Sequence, residues 1–225
     1  MSLIVGLECS SSFLSVALQE DDKFLFSSVL FLEQAQARMS ASLINACIKS
    51  IDRDISQVSA IAIGKGPGSY TGLRIGVSLA KGLCSGLGVP LISISAMDNM
   101  AYQIQQKYLS FDVIVTVLDA RRDEVYFAAF LSSGENVVAT QALKLQDIQF
   151  LKQLRGESVL LGGSGAKKCL EFFLNPPKWQ VDSEIQPDAA TTCAIAYEKW
   201  KNKNFEDPAS FVPDYIKPVF ITSGN

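Results

Sequence analysis

Histidine is missing altogether from the 225 residues, and no other feature of the chain excludes more. Without an imidazole there is no Ser-His-Asp or Cys-His nucleophile system, no H-E-x-x-H metal site and no histidine acid or base. A Ser-Lys arrangement survives on paper only. Cysteine is sparse and badly spaced for metal or disulfide work: Cys9, Cys47, Cys84, Cys169 and Cys193 stand far apart with no C-x-x-C pair, which favours buried free thiols. No apolar run reaches the roughly 18 residues that a bilayer requires. The opening "MSLIVGLECSSS" lacks a basic flank and a long apolar region, so neither a membrane span nor a signal peptide is expected, and the expected location is the cytoplasm. Basic blocks are lacking too. With a net charge of −3 and a pI near 5.1, the chain has no electrostatic footprint for gripping nucleic acid unaided, so a partner must carry most of any RNA.

What is present is a globular composition, 48% hydrophobic and 19% charged, able to bury a core in one large or two small domains. "LIVGLE", "LSVALQ" and "KFLFSSVLF" read as three short strands separated by the turns "CSSS" and "EDD". Residues 34–50 have helical periodicity, "ISQVSAIAIG" supplies a linker and a buried strand, and a second helix over residues 71–87 leads to the strand "PLISIS" and a helix from Ala96. A second set begins with "DVIVTVLDA" and "EVYFAAFLS", joined by "ARRD". It continues with a helix over 145–154, the strand "SVLLGG", and helices near Ala166 and Ala190. The tail "DPASFVPDYIKPVF" is proline-punctuated and expected to be extended. The order predicts an α/β chain of mixed sheets, dividing near residues 107–110 into 1–108 and 109–225. No internal repeat is visible.

"GKGPGSYTGLRIG" places five glycines in thirteen residues, directly after the apolar run "SAIAI". It fails the Walker A frame, because Ser69 stands where the second glycine belongs, and it fails G-x-G-x-x-G, because Thr71 stands at the third. What remains of Gly64, Gly66, Pro67, Gly68, Ser69, Tyr70 and Thr71 is a tight turn opening a helix. It is either a structural turn or an anion cradle built on free amides.

The helix that follows carries two stripes of small residues, Gly72, Gly76, Ala80 and Ser78, Gly82, Gly86. Interior glycines weaken a helix by about 1 kcal/mol each relative to alanine, so close approach of another backbone should offset them. One stripe is expected against the protein's own sheet. The preceding helix has Ala37, Ala41, Ile44, Ile48 and Ile51 on one sector and Met39, Leu43, Ala46 and Cys47 on another. One of these lies under the chain's own elements or meets a partner. Two smaller clusters, Asp119, Arg121, Arg122, Asp123 and Glu124 in "LDARRDEVYF" and the strand end "LGGSGAKK", read as a solvated hairpin turn and as a turn with a helix cap.

"GKGPGSYTGLRIGVSLAKGL", with "SVAL", "LDARRDEVYF" and faintly "PDYIKP", resembles the bacterial TsaB (YeaZ) family. The resemblance implies an actin-like (ASKHA) fold of two ribonuclease-H-like lobes. It also implies a non-catalytic subunit supporting a TsaD-type transferase that forms threonylcarbamoyladenosine at position 37 of tRNA. Nucleotide (ATP or ADP) and metal would belong to the partners, TsaD-type and a TsaE-type ATPase, with no cofactor on this chain. tRNA would be met only through the complex, and the chain alone would pair with itself. The implied contact uses the first two helices, at Met39, Leu43, Ala46 and Cys47 on one and Gly72, Arg74, Gly76, Val77 and Ala80 on the other. The family's usual I-D-T-S start is "LECS" here, with Glu8 and Cys9 for aspartate and threonine, and Met39 stands where histidine is common. The competing classes are a glycoprotease-like hydrolase and a small-molecule kinase of the same fold. The first lacks histidine and metal ligands, the second a phosphate loop and the usual aspartate.

Overall fold

The computed structural model describes residues 1–32, 35–153, 158–172 and 179–217. Gln34, Leu154 and residues 218–220 of the expected elements lie outside them. The first sheet is built from β1 (Leu3–Glu8), β2 (Leu14–Glu20), β3 (Lys23–Leu30), β4 (Val58–Gly66) and β5 (Leu91–Ser95), in the order β3-β2-β1-β4-β5. β1, β2 and β3 run antiparallel, and β1, β4 and β5 run parallel. β1 is buried at every residue, as its unbroken apolar run suggests for a strand covered on both faces. On one face α1 (Ala35–Ser50) and α2 (Tyr70–Leu87) bring Ile44, Ile48 and Val77 onto Leu3, Val5, Leu7 and Val16. On the other, Cys193 and Ala196 of α5 (Ala189–Lys201) meet Ile4, Ala17 and Ala62.

The second sheet repeats this plan. β6 (Val113–Asp119), β7 (Glu124–Leu131) and β8 (Asn136–Lys144) form an antiparallel meander, while β9 (Val159–Gly162) and β10 (Gln180–Asp182) add in parallel, giving the order β10-β9-β6-β7-β8. β8 and β10 were not expected from sequence. β8 is an edge strand with a largely exposed face, and its pairing to β7 rather than any apolar run makes it a strand. The helix expected over 145–154 is a 3-10 helix, Leu145–Gln153. Its buried Leu145 and Ile148 stand three apart, the spacing that a three-residue turn brings onto one face.

A cut near residue 108 separates the two sheets but not the two lobes' helices. α3 (Ala96–Lys107), before the cut, packs Met97, Met100 and Ile104 on Ile114, Phe130 and Leu160 of the second sheet. α5, far beyond it, packs on the first. The fully buried Asn99 of α3 ties the two together, donating to the Asp188 carbonyl at 2.8 Å and to Thr192 Oγ1 at 3.0 Å. α4 (Ala166–Glu171) closes the outer face of the second sheet through Ala166 and Cys169.

Candidate functional site

The glycine loop leaves the end of β4 and turns onto the β1–β2 turn at van der Waals distance. A Cβ on Gly68 would lie 2.3 Å from the Ser10 carbonyl oxygen, so no larger residue fits without moving backbone. Gly66 has φ 101°, a left-handed conformation that suits glycine. The Ser69 amide donates to that same Ser10 carbonyl at 2.6 Å, and the Ser69 hydroxyl caps α2 by accepting from the Gly72 amide at 3.2 Å. Two amides at this helix start, those of Ser69 and Gly72, are therefore committed to the protein itself. Lys65 is turned away into an ion pair with Asp214 at 3.1 Å. Among the described residues no three His, Cys, Asp or Glu side chains gather as a metal site would require.

Behind the loop sits Glu8, fully buried at the end of β1. Its Oε1 accepts from the Ser10 amide at 2.6 Å, while Oε2 and the adjacent Ser10 hydroxyl make no hydrogen bond of good geometry. Oε2 occupies the space a side chain at Gly64 would need, 1.9 Å from its Cβ position. Burial pushes the Glu8 carboxyl above the ordinary carboxylate range, against the pull of the Ser10 and Cys9 hydrogen bonds. Burial also pushes the Cys9 thiol up, with the Glu8 charge adding to it, which leaves Cys9 inert as a nucleophile.

A cleft of about 1270 Å³ opens between the lobes. One wall is the β1–β2 turn with the glycine loop, and the other is the β6–β7 hairpin with Ser164. Its mouth is crossed by the tail. Lys81 of α2 donates to the carbonyls of Ala209 (3.2 Å) and Phe211 (3.0 Å), Asp214 N donates to Lys65 O at 2.9 Å, and Lys217 reaches Ala120 O at 3.2 Å and the Glu124 carboxylate. Tyr215 packs at a tilt against Tyr70 with ring centroids 5.0 Å apart, and Arg74 lies over the Tyr70 ring, 5.3 Å from its centroid. The tail is thus a strap joining α2 to the second lobe. The sequence showed this tail as a proline-punctuated, extended segment but not what it binds.

The helical faces divide differently from the expected contact. Cys47, Gly72, Gly76, Val77 and Ala80 are all buried within the chain. A Cβ on Gly72 would meet the Cys9 carbonyl at 2.1 Å, and one on Gly76 would meet Cys9 and Ile63 at about 3.1 Å. These residues pack on the chain's own Cys9 and first sheet, so they do not lie on an outer surface as the contact implied by the resemblance would have them. Met39 and Leu43 are half-buried against the same core, and Ala46 and Arg74 are exposed. The second small-residue stripe faces out: Ser78, Gly82 and Gly86 are exposed, and Cβ atoms added at Gly82 or Gly86 would meet nothing within 4 Å. With Thr71 and Ser85 they form a solvent face on which Arg74 is the one fully exposed charge. On α1, which packs beside α2, Ala37, Ala41, Ser42, Asn45 and Ala46 are exposed. The sequence displayed both stripes but not which of them faces outward.

The family model described as "TsaD: tRNA N6-adenosine threonylcarbamoyltransferase" matches residues 33–205. The chain is 32% identical to the tRNA threonylcarbamoyladenosine biosynthesis protein TsaB of Haemophilus influenzae, over 95% of this chain and 93% of that one. It is 28% identical to TsaB of Bacillus subtilis over the same shares. The solved structure of YeaZ from Pseudomonas aeruginosa superposes with a TM-score of 0.79 at 23% identity, over 96% of this chain and 100% of that one. The two sheets of like order are the two ribonuclease-H-like lobes of the actin-like fold that the resemblance implied. By sequence and by fold, the chain belongs to the TsaB (YeaZ) family of tRNA threonylcarbamoyladenosine biosynthesis proteins.

Proposed function

We propose that this chain is a non-catalytic subunit that docks on a TsaD-type transferase and supports it in forming N6-threonylcarbamoyladenosine at position 37 of tRNA. The observation that carries the reading is the solvent face of α2. Gly82 and Gly86 weaken the helix by about 1 kcal/mol each relative to alanine, and a Cβ placed at either would meet no described residue beyond its own turns of helix within 4 Å, so nothing described offsets that. A second helix laid against Ser78, Gly82 and Gly86 would supply the missing dispersion contacts, because absent side chains let backbones come close. The exposed alanines of α1 extend the same surface.

The inter-lobe site supports the non-catalytic half of the reading. Its carboxyl is buried and biased towards the neutral form, its thiol is biased against ionisation, and the Ser69 and Gly72 amides are bonded internally. The chain accordingly needs no cofactor of its own, and nucleotide and metal reside on the transferase and on a TsaE-type ATPase. tRNA is met through the complex, and in the absence of partners the same face pairs with a second copy. The working location is the cytoplasm.

The test is to mix the chain with the transferase subunit of its own organism and measure mass in solution. A stable complex that forms at the expense of the homodimer, and is lost in Gly82→Arg while that variant remains folded, is the expected result. An unaltered complex with Gly82→Arg, or no complex at all with the native chain, overturns the reading.

A further inference from the structure

The turn between β6 and β7 puts two arginines in left-handed backbone, the conformation that asparagine and glycine adopt most readily. Arg121 has φ 66° and Arg122 φ 52°. Glu124 N donates to Arg121 O at 3.3 Å and Ala120 N to Glu124 O at 3.1 Å, which places Arg122 and Asp123 at the centre of the turn, and the Arg121 amide donates to Asp119 Oδ1 at 2.8 Å. Left-handed backbone is unfavourable for a residue carrying a Cβ and a long side chain, so local stability does not account for this choice.

The charges around the turn are arranged so that the arginines remain unneutralised. Asp119 is paired with Lys168 at 2.8 Å, and Glu124 is paired with Lys217. Asp123, exposed like both arginines, is the remaining acid of the turn, and no ion pair joins either arginine to an acid among the described residues. The chain as a whole is acidic at −3, so this tip is a local exception. No apolar side chain larger than Ala120 stands beside the arginines in the turn, and a protein contact would lack a core there. Two planar guanidinium groups match phosphate oxygens instead.

The tip is also held in place. Lys217 grips the base of the hairpin at Ala120 and Glu124, while two residues earlier in the same strap Tyr215 packs at a tilt against Tyr70, the first residue of α2. The strap therefore ties the hairpin to the start of α2, and Arg121 itself lines the cleft between them. We propose that Arg121 and Arg122 contact the phosphate backbone of tRNA in the assembled complex, with Lys217 as a positioning residue. This rests on the docking role proposed above.

The experiment compares the native chain with Arg121→Asn/Arg122→Gly in the complete complex reconstituted with its transferase and ATPase partners, measuring tRNA affinity over a range of salt concentrations. The expected variant assembles normally and melts at a higher temperature as an isolated chain. Its complex binds tRNA about three- to tenfold more weakly, with a salt dependence shallower by about one to two counterions. Unchanged affinity and salt slope in an assembled variant complex overturn the proposal while leaving the docking role intact. Loss of assembly in the variant overturns it in favour of a protein contact at the tip. If the native chain adds no tRNA affinity to its partners, the proposal falls while the docking role, read as mass in solution, stands.

Discussion

The amide of Ser69 donates a 2.6 Å hydrogen bond to the carbonyl of Ser10, so the glycine loop is tied directly to the turn between β1 and β2. Gly68 permits that closeness. Gly68→Ala places a methyl group 2.3 Å from the Ser10 oxygen, and because the obstacle is backbone it cannot rotate away. The variant should lose roughly 1–3 kcal/mol of stability, read as a lowered denaturant midpoint. An unchanged midpoint would mean that the turn moves freely and that the bond contributes little.

Glu8 gives the chain a distinctive pH dependence. Its folded pKa lies above the model-peptide value because burial disfavours the carboxylate. Between the unfolded and folded pKa values the native state therefore binds more protons than the unfolded chain, and stability falls as pH rises through that window. Below the unfolded pKa, Glu8 is protonated in both states and the penalty is absent. Glu8→Gln should remove this falling component, so that urea midpoints of variant and native chain diverge as pH increases from about 4.5. Parallel curves across the range would show that Glu8 ionises without penalty.

At Gly82 two substitutions should act in opposite directions. Gly82→Ala adds a methyl group into open space and should stabilise the isolated chain by about 1 kcal/mol through helix propensity. Gly82→Arg should keep the fold yet weaken association at least tenfold, since bulk would hold the partner helix off. Gly76→Leu is the contrasting case: it drives a side chain into Cys9 and Ile63 and should destabilise the chain itself by about 1–3 kcal/mol. Thermal melts and sedimentation of the three variants separate the outward stripe from the inward one. Gly76→Leu with an unchanged melting temperature would contradict the assigned faces.

The joint between lobes runs through Asn99, whose side-chain amide bonds the Asp188 carbonyl and Thr192 and whose oxygen accepts from Gln103 at 2.8 Å. Asn99→Leu removes these bonds from the joint, although Asp188 O keeps Thr192 and Gln103 keeps the Gln186 carbonyl, and should cost about 1–3 kcal/mol. Amide exchange should quicken at the start of α5, where Asp188 caps the helix by accepting from Thr191 N at 2.7 Å. Exchange unchanged at α5 would place the joint elsewhere.

Much of this protein is written locally. β1, β2 and β4 are apolar runs bounded by turn residues, and α1 and α2 have apolar positions at helical spacing. The Ser69 cap and Gly88, left-handed at φ 67°, mark the ends of α2. Such features follow from propensity and period, which neighbouring residues set among themselves. The missing histidine likewise removed whole classes of chemistry before any coordinate was considered.

Period does not determine phase. Gly72, Gly76, Ala80 and Ser78, Gly82, Gly86 are equally plausible inner stripes of α2, and Cys9 and Ile63 beneath the first decide between them. The repeated strand order of the two sheets left no sequence repeat to read, because topology constrains which strands pair and not which apolar residues fill them. β8 became a strand through its pairing with β7, and α5 joined the first sheet across more than a hundred residues of chain. The strap needed Lys217 to find Glu124 from the far end of the sequence. Contacts between distant segments depend on which apolar and polar groups can be satisfied together in one packed arrangement, so helix phase, lobe exchange and the strap were decided only by the tertiary structure.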